Sequence, residues 1–254
     1  MCGICGIWNY GTGEPIDRAA LKRATDAMLH RGPDDEGFHV EGALGLGNRR
    51  LSIIDLPGGH QPLSNEDGRI WITFNGEIYN YRELRQDLEG RGHKFRTASD
   101  TETIVHLYEQ YGLGCVEHLR GMFAFALWDS RERRLLLVRD RVGVKPLFYR
   151  LEPGRLVFAS ELRALRELAT QPLAIDPQSV YDFFGFRYVP APHTFYRGVE
   201  KLLPGHFLLA DERGVRVESY WDVPEEEETL RSAEDFAEEV AERLRESVRL
   251  RLIA

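Results

Sequence analysis

Cys2 combines the two groups that a self-activating nucleophile requires. It directly follows the initiator methionine, and its small side chain permits removal of Met1, which would leave a thiol and a free α-amine on one residue. A free thiol titrates near ~8.5 and an α-amine near ~7.7–8.0, so the amine can accept the thiol proton at neutral pH. Such a pair can attack an amide carbonyl and form a thioester. The alternative is a buried structural cysteine near the start of a strand.

Asn75 and Gly76 can supply the hydrogen-bond donors that attack on an amide requires. The Asn75 side chain offers an NH₂ group, and Gly76 allows its backbone N–H to approach a substrate closely. Each donor to a developing oxyanion is worth about 10²–10³ in rate. Asn-Gly is also the commonest hairpin turn. The hairpin fits poorly, because the residues that follow, Glu77-Ile78-Tyr79, lead to a capped helix instead of a return strand.

Arg50 and Asp100 are candidates for binding the charged end of an amino-acid substrate. A guanidinium pairs with a carboxylate in a bidentate manner, and a carboxylate suits an ammonium group. Arg49 and Arg50 both precede Leu51-Ser52-Ile53-Ile54, and Asp100 stands at a helix start. Taken alone, each residue also has a structural explanation, as a surface arginine and as a helix N-cap.

The other cysteine and histidine patterns predict no further chemistry. Cys2 and Cys5 have the C-x-x-C spacing of a redox pair, but they lack the strand-then-helix context of redox motifs. The eight histidines show no ligand spacing with cysteines or acidic residues, so we predict no metal site.

Composition narrows the class of protein. The 254 residues are 43% hydrophobic with a formal net charge of −8, which suits one large globular domain or one and a half small ones. Without a basic block interleaved with aromatics, nucleic acid is not an expected partner. Three cysteines favour a reducing compartment over a disulfide scaffold. Because the chain shows no signal peptide and no apolar run near the ~20 residues that span a bilayer, we expect a soluble, cytoplasmic protein without membrane association.

Periodicity and turn residues predict the elements that position these side chains. Asn80 with Glu83 is a helix-start signal, and Ser99 with Glu102 forms a capping box. The predicted helices cover residues 17–30, 80–90 and 99–111. The predicted strands cover residues 2–9, short runs within 37–54, residues 69–74, 122–128, 134–139, 147–151 and 156–159, and a hairpin over 206–220.

Two of these strands indicate the fold class. Residues 123–128 and 135–138 are apolar on both faces, and five polar residues join them as in an antiparallel hairpin. An antiparallel strand with one wet face should alternate, so continuous apolarity implies cover on both sides. We therefore predict an α+β fold, a four-layer αββα sandwich of two antiparallel sheets between helices. A buried mixed sheet is the alternative.

The C-terminal part differs in character. Residues 224–228 form an acidic linker, and an amphipathic helix follows it with Ala233, Phe236, Val240, Leu244 and Val248 on one face. Because such a face needs something to pack on, we interpret residues 223–254 as the linker and first helix of a further domain, and residues 2–222 as the first domain. A terminal helix docked on its own domain is the alternative.

Eight short motifs, taken together and in order, resemble the N-terminal glutaminase domain of glutamine-dependent asparagine synthetases. These are class II amidotransferases with the N-terminal-nucleophile hydrolase fold. The motifs are Met1-Cys2-Gly3-Ile4, Arg31-Gly32-Pro33-Asp34, Arg50-Leu51-Ser52-Ile53, Gln61-Pro62-Leu63, Phe74-Asn75-Gly76-Glu77-Ile78-Tyr79-Asn80, Ser99-Asp100-Thr101-Glu102, Arg139-Asp140-Arg141-Val142-Gly143-Val144-Lys145-Pro146-Leu147 and Ala159-Ser160-Glu161-Leu162. The Glu-Ile-Tyr-Asn run after Gly76 is similar to the asparagine synthetase branch, and differs from relatives that feed phosphoribosyl or hexosamine chemistry.

The resemblance implies a role for each matching residue. Cys2 would be the nucleophile and its α-amine the base, with the oxyanion hole formed by Asn75 and Gly76. Arg50 would bind the substrate carboxylate. The remaining implied positions are Glu77 and Asp100 for the α-ammonium, backbone groups near Ile53 and Ile54 for the pocket wall, and Arg31 as a support behind Cys2.

The implied reaction is hydrolysis of L-glutamine to L-glutamate and ammonia, which would feed an ATP-dependent asparagine synthetase domain. That domain carries a Ser-Gly-Gly-x-Asp-Ser loop for the ATP pyrophosphate, which does not occur in this chain. We therefore expect no cofactor here, with ATP and Mg only in the missing domain. The expected partners are L-glutamine and the C-terminal synthetase domain, with a second copy in a homodimer as a further candidate. Two alternatives are a non-catalytic interface module and an N-terminal-cysteine acylase acting on another amide.

Overall fold

Two stacked antiparallel sheets of six strands each form the centre of the protein. The computed structural model describes residues 1–225 and 232–252. The strands are β1 (Gly3–Trp8), β2 (Asp35–Glu41), β3 (Leu44–Arg50), β4 (Leu63–Ser64), β5 (Ile70–Ile78), β6 (Gly121–Asp129), β7 (Arg134–Arg139), β8 (Phe148–Glu152), β9 (Arg155–Ala159), β10 (Glu200–Lys201), β11 (His206–Asp211) and β12 (Gly214–Ser219). One sheet has the order β10-β8-β9-β1-β3-β2 and the other β12-β11-β7-β6-β5-β4.

Helices cover the outer face of each sheet: α1 (Arg18–Asp26) and α5 (Leu162–Leu168) lie on one, and α2 (Tyr81–Gly90) and α3 (Asp100–Tyr111) on the other. The further helices of the described residues are α4 (Cys115–His118), α6 (Pro177–Phe186) and α7 (Ala233–Arg251). The buried apolar residues form three clusters: one between the sheets, one under α1 and α5, and one under α2 and α3. In β6, Phe125 joins the cluster under the helices while Ala126 joins the cluster between the sheets. The four-layer αββα sandwich is confirmed.

The pairing of β1 sets the position of the N-terminus. This strand lies between β3 and β9, with Gly3 opposite Arg49 and Cys5 opposite both Gly47 and Ala159. The same register, continued by one residue, sets Cys2 opposite Arg50. A strand in the middle of a sheet is fixed on both sides, so the predicted nucleophile begins from a rigid element.

Two predicted elements have different bounds in the structure. The helix predicted for residues 17–30 ends at Asp26. Its start is as expected, since the Asp17 carboxylate accepts hydrogen bonds from the backbone N–H groups of Ala19 and Ala20. The strand predicted for residues 69–74 continues to Ile78 because β6 pairs with it throughout. Asn75 and Gly76 therefore lie inside a strand and form no hairpin turn.

The helix-start signals are correct in position but only partly in mechanism. Asn80 precedes α2 without capping it; its side chain donates to the His118 carbonyl and accepts from the Arg120 N–H instead. The Ser99 hydroxyl accepts from the Thr101 N–H at the start of α3. The capping box is incomplete, because the Glu102 carboxylate accepts from the backbone upstream of Ser99.

Five elements have no counterpart in the predictions: α4, α5, α6, β4 and β10. The last two are only two residues long. The helix α6 has clear start signals, with Asp176 accepting from the Ser179 N–H and Pro177 in the first turn.

The C-terminal helix α7 begins with a complete capping box between Ser232 and Asp235. Three of its predicted apolar-face residues, Val240, Leu244 and Val248, are 54–60% exposed. The division at residues 222 and 223 stays a prediction. The predicted acidic linker lies outside the described residues from Glu226 onward. Within the described chain, none of the helices combines the length and apolarity that a membrane crossing requires.

Candidate active site

All eight predicted site residues line one cavity of about 150 Å³. It lies where the start of β1, the end of β3, the second half of β5 and the start of α3 come together. The predicted residues in its wall are Cys2, Arg50, Ile53, Ile54, Asn75, Gly76, Glu77 and Asp100. Residues that are up to 98 positions apart in sequence therefore share one site.

The Cys2 side chain is largely buried at the edge of this cavity. Its thiol donates to the Leu51 carbonyl at 3.7 Å. Burial raises the pKa of the thiol, while the Leu51 contact, the N-terminal ammonium and Arg50 act in the opposite direction. In this structure the Cys2 nitrogen belongs to the peptide bond with Met1, so its α-amine becomes available only when Met1 is removed.

Arg31 holds the backbone of Cys2 in place. Its Nε–H donates to the Cys2 carbonyl at 2.9 Å, and its Nη1 donates to the Glu161 carboxylate at 3.1 Å. The Arg31 carbonyl accepts a hydrogen bond from the Met1 ammonium at 3.1 Å. Arg31 thus lies behind Cys2, at the support position that the sequence resemblance implies.

The Asn75 carboxamide is fully buried in β5. Among the described residues, neither its Nδ2 nor its Oδ1 has a hydrogen-bond partner. By contrast, the Nδ2 of the nearby buried Asn48 donates to the side chains of Gln61 and Thr73, so that among the described residues its Oδ1 alone is without a partner. A buried polar group without a partner costs about 1–3 kcal/mol, so Asn75 is suited to a ligand that enters the cavity.

Gly76 is required by the pairing of β5 with β6. A Cβ atom at this position would lie 2.3 Å from the Met122 carbonyl oxygen and 2.7 Å from the Phe123 Cα. The absence of a side chain therefore lets the strands approach each other, which adds a structural reason to the one expected from substrate access.

Arg50 organises the loop that carries Ile53 and Ile54. Its guanidinium donates to the carbonyls of Ile54 (3.0 Å), Asp55 (2.7 Å) and Leu56 (3.1 Å). It is buried and is no surface arginine. A guanidinium has five N–H donors, so donors remain for an anionic ligand in the cavity.

Asp100 supplies a buried negative charge on the wall formed by α3. Its Oδ2 accepts from the Ile78 N–H at 2.9 Å. Burial raises its pKa to about 6, and the neighbouring Glu77 carboxylate acts in the same direction. Two neighbouring carboxylates create a position that favours an ammonium group.

Sequence reasoning assigned no role to several residues of the cavity wall. They include Gln61, Thr101, Met122 and Lys145. Gln61 is a buried hub, since its Oε1 accepts from the Phe74 N–H and from Asn48. Lys145 belongs to the motif from Arg139 to Leu147 that contributes to the family resemblance. That membership was the one sequence signal that could have pointed to it.

One cluster of ligand-type side chains lies elsewhere. His93, His106 and Glu109 offer ligand atoms within 4.8 Å of one another, which the spacing of histidines in the sequence did not reveal. Burial alone would lower the pKa of His106, but Glu102 and Glu109 outweigh it and raise the value to about 9. A protonated imidazole between two carboxylates is an ion-pair network and a poor metal ligand.

The fold and the cavity define a class of protein, and comparison with known families agrees. A model described as "Glutamine amidotransferase domain" matches residues 1–221. The chain belongs to this family and is a class II glutamine amidotransferase domain with the N-terminal-nucleophile fold.

Its relatives place it within the family more narrowly. Asparagine synthetase [glutamine-hydrolyzing] 1 of Bacillus subtilis is 40% identical over 87% of this chain and 35% of its own length. A putative asparagine synthetase of Methanocaldococcus jannaschii is 34% identical over 89% of this chain and 47% of its own length. The amidase chry2 of Gibberella zeae is 38% identical over 92% of this chain and 35% of its own length. The chain thus spans about a third to a half of these relatives and corresponds to the glutaminase domain of asparagine synthetases.

Among solved structures, the glutamine phosphoribosylpyrophosphate amidotransferase of B. subtilis, complexed with ADP and GMP, has the same fold. The TM-score is 0.63 at 22% identity, over 87% of this chain and 49% of the other. At this identity the likeness confirms the fold alone.

Proposed function

We propose that this chain hydrolyses L-glutamine to L-glutamate and ammonia through a thioester on Cys2. The observation that carries the proposal is the unpartnered Asn75 carboxamide in the cavity that also contains Cys2. Arg50 and Asp100 in the same wall provide opposite charges for an amino-acid zwitterion. The family and its glutamine-hydrolysing relatives support the same substrate.

The first half-reaction forms the thioester. After Met1 is removed, the Cys2 amine accepts the thiol proton and Sγ attacks the amide carbon of glutamine. The carbonyl oxygen becomes an oxyanion, to which the Asn75 NH₂ and the Gly76 N–H donate. The C–N bond then breaks, and the proton held by the amine passes to the leaving nitrogen, which departs as ammonia.

The second half-reaction releases glutamate. The neutral amine accepts a proton from water while the water oxygen attacks the thioester carbon, and the same two donors stabilise the second oxyanion. The C–S bond breaks and the proton returns to sulfur. No redox step occurs, and neither half-reaction requires a cofactor in this chain.

Substrate selection is assigned to the two charged walls. The free donors of Arg50 would bind the α-carboxylate, and Asp100 with Glu77 would bind the α-ammonium. Ile53 and Ile54, in the loop held by Arg50, would close the side of the pocket.

The wider role follows from the longer relatives. We infer that residues 2–222 form the glutaminase domain and that the ammonia serves an ATP-dependent synthetase domain, whose first helix is α7. The exposed Val240, Leu244 and Val248 supply a face on which such a domain can pack. Three free cysteines are in keeping with the reducing cytoplasm.

An acylase acting on another amide is the second candidate, because an amidase is among the relatives. The two readings differ in their need for the charged walls. An enzyme that uses Arg50 should discriminate strongly against 4-aminobutanamide, the glutamine analogue without the α-carboxylate, whereas an acylase for other amides should not.

The deciding experiment is glutamine turnover by Cys2→Ala. We expect loss of detectable turnover with an unchanged circular dichroism spectrum, after mass spectrometry has established that Met1 is removed from the unsubstituted protein. Cys5→Ala is the matched control, since Cys5 is fully buried next to Thr25 and does not line the cavity. Turnover that survives in Cys2→Ala would refute the proposed function.

A further inference from the structure

Lys145 occupies an unusual place for a lysine. The chain has four lysines, at positions 22, 94, 145 and 201, and Lys145 lines the cavity that contains Cys2. Its side chain is buried, with 5% exposure. Lysines are almost never this buried unless they are paired, yet the described residues provide neither an ion pair nor a hydrogen bond for its ammonium.

In the loop between β7 and β8, the Asp140 carboxylate binds the backbone N–H of Lys145. This carboxylate, 1% exposed, accepts from the N–H groups of Lys145 (2.9 Å), Val144 (2.9 Å) and Phe123 in β6 (3.1 Å). A carboxylate with three backbone donors is a strong local anchor.

Arg139 holds the carbonyl side of the same loop. Its guanidinium donates to the carbonyls of Lys145 (2.9 Å), Gly143 (2.9 Å) and Leu202 (2.6 Å). Gly143 adopts φ +70°, and a Cβ there would lie 2.8 Å from Pro204. The loop therefore holds the backbone of Lys145 at both its N–H and its carbonyl, at a position from which the side chain lines the cavity.

Charged groups of both signs surround the N-terminus. Burial is the largest cause that lowers the pKa of the Met1 amine; the Cys2 thiolate and Asp34 raise it, and the cations of Arg31 and Lys145 lower it. Lys145 in turn faces Glu77, Arg31, Cys2 and Asp140. The thiol faces Arg50 and Asp100 in addition.

We propose that Lys145 is a positioning residue whose ammonium, in the wall of the Cys2 cavity, keeps the α-amine of the reacting cysteine in its neutral, proton-accepting form and favours ionisation of the sulfur. The inference rests on the proposed function. A nearby positive charge disfavours the protonated amine and favours the thiolate, so it moves both apparent pKa values of this coupled pair toward lower pH. The base is then available at neutral pH.

The test compares Lys145→Met with Lys145→Arg, and with the exposed control Lys94→Met. We expect the pH profile of kcat/KM for Lys145→Met to move by about 0.5–1 unit toward higher pH. On the acidic limb this amounts to a loss of about three- to tenfold. Lys145→Arg and Lys94→Met should retain the original profile.

The rate of Cys2 alkylation by iodoacetamide, measured against pH and followed by intact mass, should move in the same direction without any substrate. The proposal is wrong if neither the pH profile of kcat/KM nor that of alkylation moves in Lys145→Met. This holds even if the variant raises KM or lowers kcat equally at every pH. Turnover by Cys2→Ala would instead refute the proposed function, while the alkylation profile would still test the lysine.

Discussion

The Asn75 carboxamide sits in the interior of β5, where β-branched and aromatic residues are favoured and asparagine is depleted. Its neighbours in the strand do not satisfy it within the described chain. An unsatisfied, buried carboxamide is unfavourable in the free protein, but it has a purpose if a transient ligand forms the missing hydrogen bonds. In the proposed function that ligand is the oxyanion, because the free NH₂ shares the cavity with Cys2.

Asn75→Ala should therefore separate catalysis from stability. We expect kcat to fall by about 10²–10³ while the melting temperature stays the same or rises, because an unsatisfied buried amide is removed. Asn48→Ala is the matched control: Asn48 is equally buried but hydrogen-bonded, so it should lose stability. A destabilised Asn75→Ala with normal kcat would contradict the assignment.

Asp100 should give the site a pH-dependent affinity for substrate. Its pKa is raised to about 6, chiefly by burial, so the carboxylate becomes protonated as the pH falls through about 6 and can no longer pair with an ammonium. We expect KM for glutamine to rise steeply below this pH, in steady-state kinetics from pH 5 to 8. A KM that stays flat across this range would exclude Asp100 from substrate binding.

The same residue should destabilise the folded protein at neutral pH. A carboxyl group whose pKa is raised on folding contributes its stability below the unfolded pKa and loses it as pH rises through the folded value. We therefore expect Asp100→Asn to increase the free energy of unfolding at pH 8, on the order of 2 kcal/mol, and to weaken glutamine binding. Urea unfolding at pH 8 and pH 4 measures the difference, which should shrink at the lower pH.

At the scale of elements, β5 both pairs with β6 and contains two residues of the proposed active site, Asn75 and Gly76. Pairing with β6 extends from Ile70 to Ile78, so the proposed oxyanion donors, Asn75 and Gly76, are held on one side by hydrogen bonds between the strands. The Asn-Gly dipeptide suggested a turn, but Gly76 is needed here for another reason: the Met122 carbonyl oxygen lies too close for a side chain to fit. Local turn statistics contain no information about that neighbour.

Gly76→Ala should break this pairing. A methyl group 2.3 Å from a backbone oxygen forces the two strands apart, and overpacking of this kind costs about 1–3 kcal/mol. We expect a lower melting temperature and loss of turnover. Gly90→Ala is the control, since no atom lies within 4 Å of its Cβ position and alanine favours the helix. Equal stability of the two variants would show that β5 tolerates the methyl group.

For the whole molecule, the layered architecture could be predicted because the hydrophobic pattern of single strands indicates it. A strand that is apolar on both faces must be buried on both, and β6 packs against helices on one face and against the other sheet on the second. The eight site residues could be named because they stand in short motifs. The hydrogen bonds of Arg50 and the burial of Lys145 could not, since they depend on loops whose shape is set by distant partners such as Leu202.

The C-terminal helix should be dispensable for folding of the sandwich. Its contacts with the domain include the Arg120–Glu246 ion pair and the Arg251 guanidinium 4.7 Å from the centre of the Tyr79 ring. Both are of the surface type, worth about 0–1 kcal/mol each. A chain that ends at Asp222 should melt within a few degrees of the full chain and keep its activity, whereas one that ends at Lys201 loses β11 and β12 and should not fold.

The bond from the Arg31 guanidinium to the carbonyl oxygen of residue 2 has a consequence for how the protein matures. The anchor grips the downstream side of the bond that an aminopeptidase would cut, so trimming leaves it intact. Under the proposed function, the sulfur therefore already occupies its place before Met1 is removed, and removal of Met1 would free the α-amine of Cys2 without refolding.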